Sequence, residues 1–124
     1  MTPAPSTWVP ERKDVIWIEF DPQVGEEMQG EHPMVVLSTK AFNEKTGIVI
    51  GLPMTHAKRH ETNPFAVPYT YSASEGTKTG YVLTHQPKSF DWRKRGARPH
   101  PLKAMPADLF QTCLGELNSI ISLV

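Results

Sequence analysis

The sequence predicts a small, bent antiparallel β-barrel capped by one C-terminal helix. Three observations carry that reading. Short runs rich in β-branched and aromatic residues recur along most of the chain. Twelve prolines in 124 residues bar long helices and long central strands. Only after residue 105 does the apolar spacing change from two to three and four.

Residues 1–12, with Pro3, Pro5 and Pro10, read as a flexible lead from which Trp8 can dock onto the body. Residues 13–124 read as a single domain, the size that one core supports. Val15 to Phe20 is the first expected strand, with Ile16, Ile18 and Phe20 on one face, and Asp21-Pro22 stops it. Gln23 to Pro33 is a polar loop holding Gly25, Gly30, Glu26, Glu27 and Glu31. Met34 to Ser38 is a second strand, apolar enough to be buried on both faces. Asn43 to Gly47 is expected as a turn, and Ile48 to Leu52 as a third strand closed by Pro53. Thr55 to Asn63 is too polar for a core element. Phe65 to Tyr71 alternates and suits a sheet edge, given Pro64 and Pro68. Ser72 to Thr79 is a loop, Gly80 to Thr84 and Ser89 to Trp92 are strands, and Arg93 to Lys103 is a basic loop. Pro106 and Asp108 open the helix, where proline and an acid are tolerated. Phe110, Cys113, Leu114, Leu117, Ile120, Ile121 and Val124 form its apolar stripe, with Gly115 a weak point of roughly 1 kcal/mol.

Composition narrows the function. The chain is 39% hydrophobic and 21% charged, with a formal net charge of zero, which fits a globular protein and not a disordered one. The charge is uneven. Residues 1–62 carry six Lys and Arg against nine Asp and Glu, and residues 63–124 carry seven against four. Six of those basic residues fall between Lys88 and Lys103, with Asp91 the one acid among them. One cysteine, Cys113, excludes an internal disulfide and a paired-cysteine zinc site, and points to a reduced, cytosolic setting. No apolar run reaches the roughly 18 residues of a membrane span, and the opening residues lack the pattern of a secretory signal.

The motifs of several enzyme classes are missing. There is no phosphate-loop, dinucleotide-binding or nucleophile-elbow pattern. His56 and His60 are four apart, yet Ala57 stands where a zinc protease carries glutamate, so neither a metal nor any other cofactor is expected. What remains is acid–base chemistry. Glu27 and His32 lie in a loop fixed by glycine and proline, and Thr55 follows a strand end. Phe90 and Trp92 interleave the basic run. A carboxylate, an imidazole, a hydroxyl and a basic aromatic platform suit phosphodiester transfer on single-stranded nucleic acid. Taken singly, each is better read as a solvated loop, a surface histidine, a strand-terminal threonine or a charged face.

The order of the segments resembles the MazF/PemK family of toxin ribonucleases. The matching stretches are Asp14 to Pro22, Gly25 to Ser38, Asn43 to Gly47, Leu52 to Thr55 and Gln86 to Gly96. The resemblance implies an SH3-like barrel with a C-terminal helix, forming a cytoplasmic homodimer. It implies metal-independent cleavage of single-stranded RNA by attack of the 2′-hydroxyl, leaving a 2′,3′-cyclic phosphate and a 5′-hydroxyl. It also implies a cognate antitoxin whose acidic, disordered tail covers the RNA groove. Carried over by position, the catalytic residues are Glu27, His32 and Thr55. Lys58, Arg59, Gln86, Lys88, Ser89, Arg93, Lys94 and Arg95 would contact RNA.

The match departs from the family at three positions. His32 stands where the family has arginine, His85 where it has an acid, and Lys13 where it has glycine. A guanidinium is always charged and binds phosphate with two donors; an imidazole is charged only in part at neutral pH. Either His32 is a working general acid, alone or with His85, and Arg12, Lys58 or Arg59 supplies the fixed charge, or the protein binds RNA or antitoxin without cutting. A third mode, poisoning a protein target such as a gyrase through the helix end, fits poorly with a terminus lacking aromatics.

Overall fold

The computed structural model describes residues 7–21 and 30–124. Its strands are β1 (Asp14–Glu19), β2 (Glu31–Val36), β3 (Ile48–Thr55), β4 (Ala66–Ala73), β5 (Gly76–Leu83), β6 (Lys88–Asp91) and β7 (Arg98–Ala104). Helix α1 (Lys40–Thr46) joins β2 to β3, a 3₁₀ turn spans Lys58–Thr62, and α2 (Ala107–Ile121) ends the chain. The strands form one curled antiparallel sheet in the order β4-β5-β3-β2-β1-β7, with β6 also paired to β3. The expected mainly-β architecture with a terminal helix is therefore the one observed.

The sheet buries both faces, as the continuous apolar run in β2 requires. Ile16, Ile18, Phe20, Met34, Val36, Val49, Phe90 and Trp92 form one cluster. Val15, Val35, Leu52, Met54, Val67, Tyr69 and Val82 form the other, closed by Phe110 and Cys113 of α2. Alternation assigns the faces: Met34 and Val36 point one way and Val35 the other. On α2 only Phe110, Cys113 and Leu117 of the expected stripe are fully buried, and Ile120, Ile121 and Val124 are exposed. Trp8 docks edge-on against Trp92, with ring centroids 5.9 Å apart, and Val9 joins the first cluster. Packing thus begins within the segment read as a lead. None of the helices is long and apolar enough to cross a membrane among the described residues.

Several expected boundaries are corrected. Asn43 to Gly47 is part of α1, not an isolated turn. Thr39 caps the helix, its Oγ1 accepting from the Phe42 amide, and Gly47 ends it in the left-handed conformation. β3 runs through Pro53 to Thr55. Pro53 pairs with Met34 of β2, and β5 takes up the other edge only from Met54 onward, so the missing amide costs no ladder bond there. Ser72 to Thr79 is a hairpin: β4 and β5 pair without a break from Ala66↔Leu83 to Ala73↔Gly76. The basic loop contains β7, which pairs with β1 at the sheet edge, the position where Pro99 and Pro101 are tolerated. Thr55 to Asn63 is not wholly superficial, because the 3₁₀ turn buries His60.

Lys13 has φ 82°, in the left-handed region that favours glycine. Its amide donates to the Val36 carbonyl at 2.8 Å, and its carbonyl accepts from Met105 at 2.9 Å. A glycine would take that backbone shape without a Cβ clash.

Candidate functional site

β2 and β3 pair with Met34↔Pro53 and Val35↔Leu52. Continued by two residues, the same register sets His32 opposite Thr55, and opposed residues share a face. Both fall on the face of Met34 and Val49. The His32 ring meets Phe20 edge-on at 5.6 Å between centroids, in keeping with that face. Thr55 Oγ1 accepts from the Ala57 amide at 3.2 Å, shaping the turn off β3. The third predicted catalytic residue, Glu27, lies outside the described residues.

His32 and Thr55 also border a cavity of about 710 Å³. Its floor comes from β2 and β3, and its walls come from the two edge strands, β4 and β7. Trp17 and His100 stack at 4.5 Å with a 40° tilt. Tyr69 and Tyr71 stack at 5.7 Å, nearly parallel at 13°. Gly80 sits opposite Tyr69 in the ladder, and a Cβ there would lie 2.5 Å from the Tyr69 ring, so the glycine lets that ring lie flat on the sheet. Tyr71 Oη is 2.9 Å from His56 Nε2, and His56 Nδ1 is 3.2 Å from the Thr79 carbonyl. A carbonyl only accepts, so the His56 Nδ1–H donates to it and Nε2 accepts a hydrogen bond from the Tyr71 hydroxyl. The His100 Nδ1 accepts from the Leu102 amide at 3.0 Å, which puts its proton on Nε2.

Glu31 also lines this cavity. Arg98 grips it with both guanidinium arms, the Nη2 arm at 2.8 Å, and that hydrogen bond holds the Glu31 carboxyl below its ordinary range. Burial, then His56 and Arg98, push the His100 imidazole down. Burial pushes the Tyr69 phenol up.

The predicted RNA-contacting residues are spread over two regions. Lys58 and Arg59 are exposed on the 3₁₀ turn. Lys88 and Ser89 open β6. Arg93, Lys94 and Arg95 follow β6 in a tight turn, with the Lys94 amide bound to Asp91 Oδ1 at 2.9 Å. Two of these arginines have structural partners. Arg93 lies over Trp92 at 4.1 Å. Arg95 lies over Phe90 at 4.2 Å and donates to the Glu19 and Asp21 carbonyls at 3.1 and 3.0 Å. Arg12 donates to the Leu37 carbonyl at 2.5 Å and lies over Phe110, away from this cavity.

His85 is not beside His32. It stacks on Phe65 at 6.1 Å and lies 3.1 Å from the Gln86 side-chain amide. Asn63 bridges it to His60, whose imidazole is pushed down by burial, then by Arg59 and His85. Among the described residues no three His, Cys, Asp or Glu side chains gather as a metal would need. Burial pushes the Cys113 thiol up to about 12, the opposite of an activated nucleophile. Sequence reasoning missed Trp17, Tyr71 and His100; the one visible signal was the two-residue spacing of Tyr69 and Tyr71 on an edge strand.

Comparison with known proteins matches this geometry to one family. The model of the PemK-like, MazF-like toxins of type II toxin–antitoxin systems covers residues 11–121. The endoribonuclease toxin MazF of Escherichia coli K12 is 39% identical over 92 residues, 74% of this chain and 78% of that one. The crystal structure of MazF from Deinococcus radiodurans superposes with a TM-score of 0.78 at 35% identity, covering 94% of this chain and 99% of that one. A MazE–MazF structure from the same organism gives 0.73 at 32% identity, covering 94% and 99%. With nearly its whole folded length matched, the chain belongs to the PemK-like, MazF-like toxin family.

Proposed function

We propose that the protein is the toxin of a type II toxin–antitoxin pair, a metal-independent endoribonuclease of single-stranded RNA that acts as a cytoplasmic homodimer. The observation that carries the proposal is the pairing of β2 with β3, whose register sets His32 and Thr55 opposite each other on one face. In this reading the Glu27 carboxylate accepts the proton of a ribose 2′-hydroxyl. The 2′-oxygen bonds to the adjacent phosphorus, the bond from phosphorus to the 5′-oxygen breaks, and the His32 imidazolium gives that oxygen its proton. The Thr55 hydroxyl donates to a non-bridging phosphate oxygen. Lys58, Arg59, Gln86, Lys88, Ser89, Arg93, Lys94 and Arg95 hold the strand, and the acidic tail of the antitoxin competes for the same basic surface.

The test is cleavage of a long, weakly structured RNA in excess EDTA, with end-group analysis. Cyclic-phosphate ends, reduced at least tenfold by Glu27→Ala and by Thr55→Ala, are expected. Unchanged rates in both variants place the chemistry elsewhere. His32→Asn, which has no proton to give in that role, should lower the rate at least tenfold, and an unchanged rate removes His32 from that role.

A second reading is that the protein binds RNA or antitoxin without cutting. It is favoured by the absence of lysine and arginine from the described lining of the cavity beside His32 and Thr55, and by the commitment of Arg98 to Glu31. No cleavage by the native protein, with cleavage by His32→Arg, would establish it.

A further inference from the structure

We propose that the aromatic cavity between β4 and β7 is a nucleobase subsite, which receives one unstacked base of the strand whose phosphate lies at Thr55. The inference rests on the RNA reading above and adds to it a ligand and a set of residues. Four features carry it. The walls present two stacked aromatic pairs, Trp17 with His100 and Tyr69 with Tyr71, and bases of any sequence gain from stacking on such faces. The volume, about 710 Å³, is within the range of small-ligand pockets. The charge is wrong for a phosphate away from the His32 rim: Glu31 is the one Asp, Glu, Lys or Arg side chain in the described lining, and Arg98 already neutralises it. The polar groups suit a heterocycle, because His100 carries its proton on Nε2 and the Tyr71 oxygen, whose O–H donates to His56, remains an acceptor.

Placement joins this cavity to the candidate chemistry. Met54 and Tyr69 lie on the α2 side of the sheet, and alternation puts Trp17 there with Val15, whereas His32 and Thr55 share the opposite face with Met34 and Val49. The two faces meet at the ends of β2 and β3, where His32 and Thr55 border the cavity. A strand that bends over this rim sets its phosphate on one face and an adjoining base on the other. Such a base must leave its neighbours, which single-stranded RNA permits and a duplex does not.

The experiment compares binding of 2′-O-methyl heptanucleotides of A, C or U with an abasic strand of the same length and charge. The 2′-O-methyl group blocks cleavage, and the abasic strand reports backbone attraction alone. Native protein should bind at least one base-bearing strand tenfold or more tighter than the abasic strand. His100→Ala and Tyr71→Leu should remove most of that advantage while leaving affinity for the abasic strand unchanged. Tyr71→Phe, which keeps the ring, should retain it. Circular dichroism checks that the variants fold, and the two changes on opposite walls test the cavity independently. A base advantage that survives both variants overturns the subsite and leaves the RNA reading standing. If the variants instead lose self-association, measured by sedimentation, a second copy of the chain fills the cavity and the subsite is again overturned. Failure of the native protein to bind any strand overturns both readings.

Discussion

Replacing Asn43 with alanine should cost about 3 kcal/mol of stability. The side chain is fully buried. Its Nδ2 donates to the Pro10 carbonyl at 2.8 Å and to the Ser38 carbonyl at 3.3 Å, and its Oδ1 accepts from the Ser38 hydroxyl at 2.5 Å. Alanine removes all three bonds. The Ser38 hydroxyl keeps its bonds to Ile50, but the buried Pro10 carbonyl loses the one side-chain donor that reaches it. An orphaned buried acceptor costs roughly 1–3 kcal/mol, and the space left by the carboxamide adds roughly 1 kcal/mol. For a domain of this size the sum corresponds to a fall in Tm of roughly 10 °C. The Asn43 backbone carbonyl still accepts from Trp92 Nε1, so tryptophan fluorescence reports whether the native fold persists below the transition. Urea unfolding followed by circular dichroism measures the loss. A change under about 1 kcal/mol refutes the reasoning. Asn43→Asp sharpens it, because a second oxygen then faces two carbonyls. That variant should be worse than alanine at neutral pH and should recover ground in acid, as the carboxyl gains a proton and becomes a donor.

Three further outcomes are expected. Lys13→Gly should stabilise the fold by about 1 kcal/mol by relieving a left-handed residue; equal or lower stability in thermal melts argues against strain at that point. Acid should destabilise the protein in two stages. His60 and His100 are held below their ordinary 6.5, so the unfolded chain binds more protons, and stability falls as pH drops below about 6.5. The Glu31 carboxyl is held below its ordinary 4.5, so its contribution is present above that value and is lost as pH falls further; a urea midpoint constant from pH 7.5 to 5 refutes the first stage, and one constant from pH 5 to 2 refutes the second. Gly80→Ala should cost roughly 1–3 kcal/mol by pushing a methyl into the Tyr69 ring, and unfolding curves identical to the native protein would show the ring is loosely held.

Much of the fold could be read from residue order, because burial dictates the pattern. The alternation of Ile16, Ile18 and Phe20 and the three-and-four spacing of Phe110, Cys113 and Leu117 follow directly from which side meets the core. The misreadings share a physical cause. A seven-residue helix has too few turns to show a period, so α1 is betrayed only by its caps, Thr39 and Gly47. β7 is masked by Pro99 and Pro101, which a strand accepts where one edge is unpaired. β3 passes Pro53 because its neighbours change there. At the site, Thr55 and His32 follow from a resemblance, whereas the aromatic cavity depends on the sheet curling until its two edge strands line one space. No local spacing encodes that meeting of residues 17, 71 and 100.

The parity of β3 ties the candidate site to the integrity of the core. Leu52 and Met54 are buried under α2 while Thr55 lies on the opposite face, and β3 pairs with β2, β5 and β6 along its length. A single-residue insertion or deletion within 48–53 would exchange the two sides at once, setting Met54 in the place of the Thr55 hydroxyl and burying Thr55 among apolar side chains. Length changes there are therefore lethal to folding before they can alter specificity. The β4–β5 hairpin, which turns in solvent at Ser74 and Glu75, can change length without disturbing that parity.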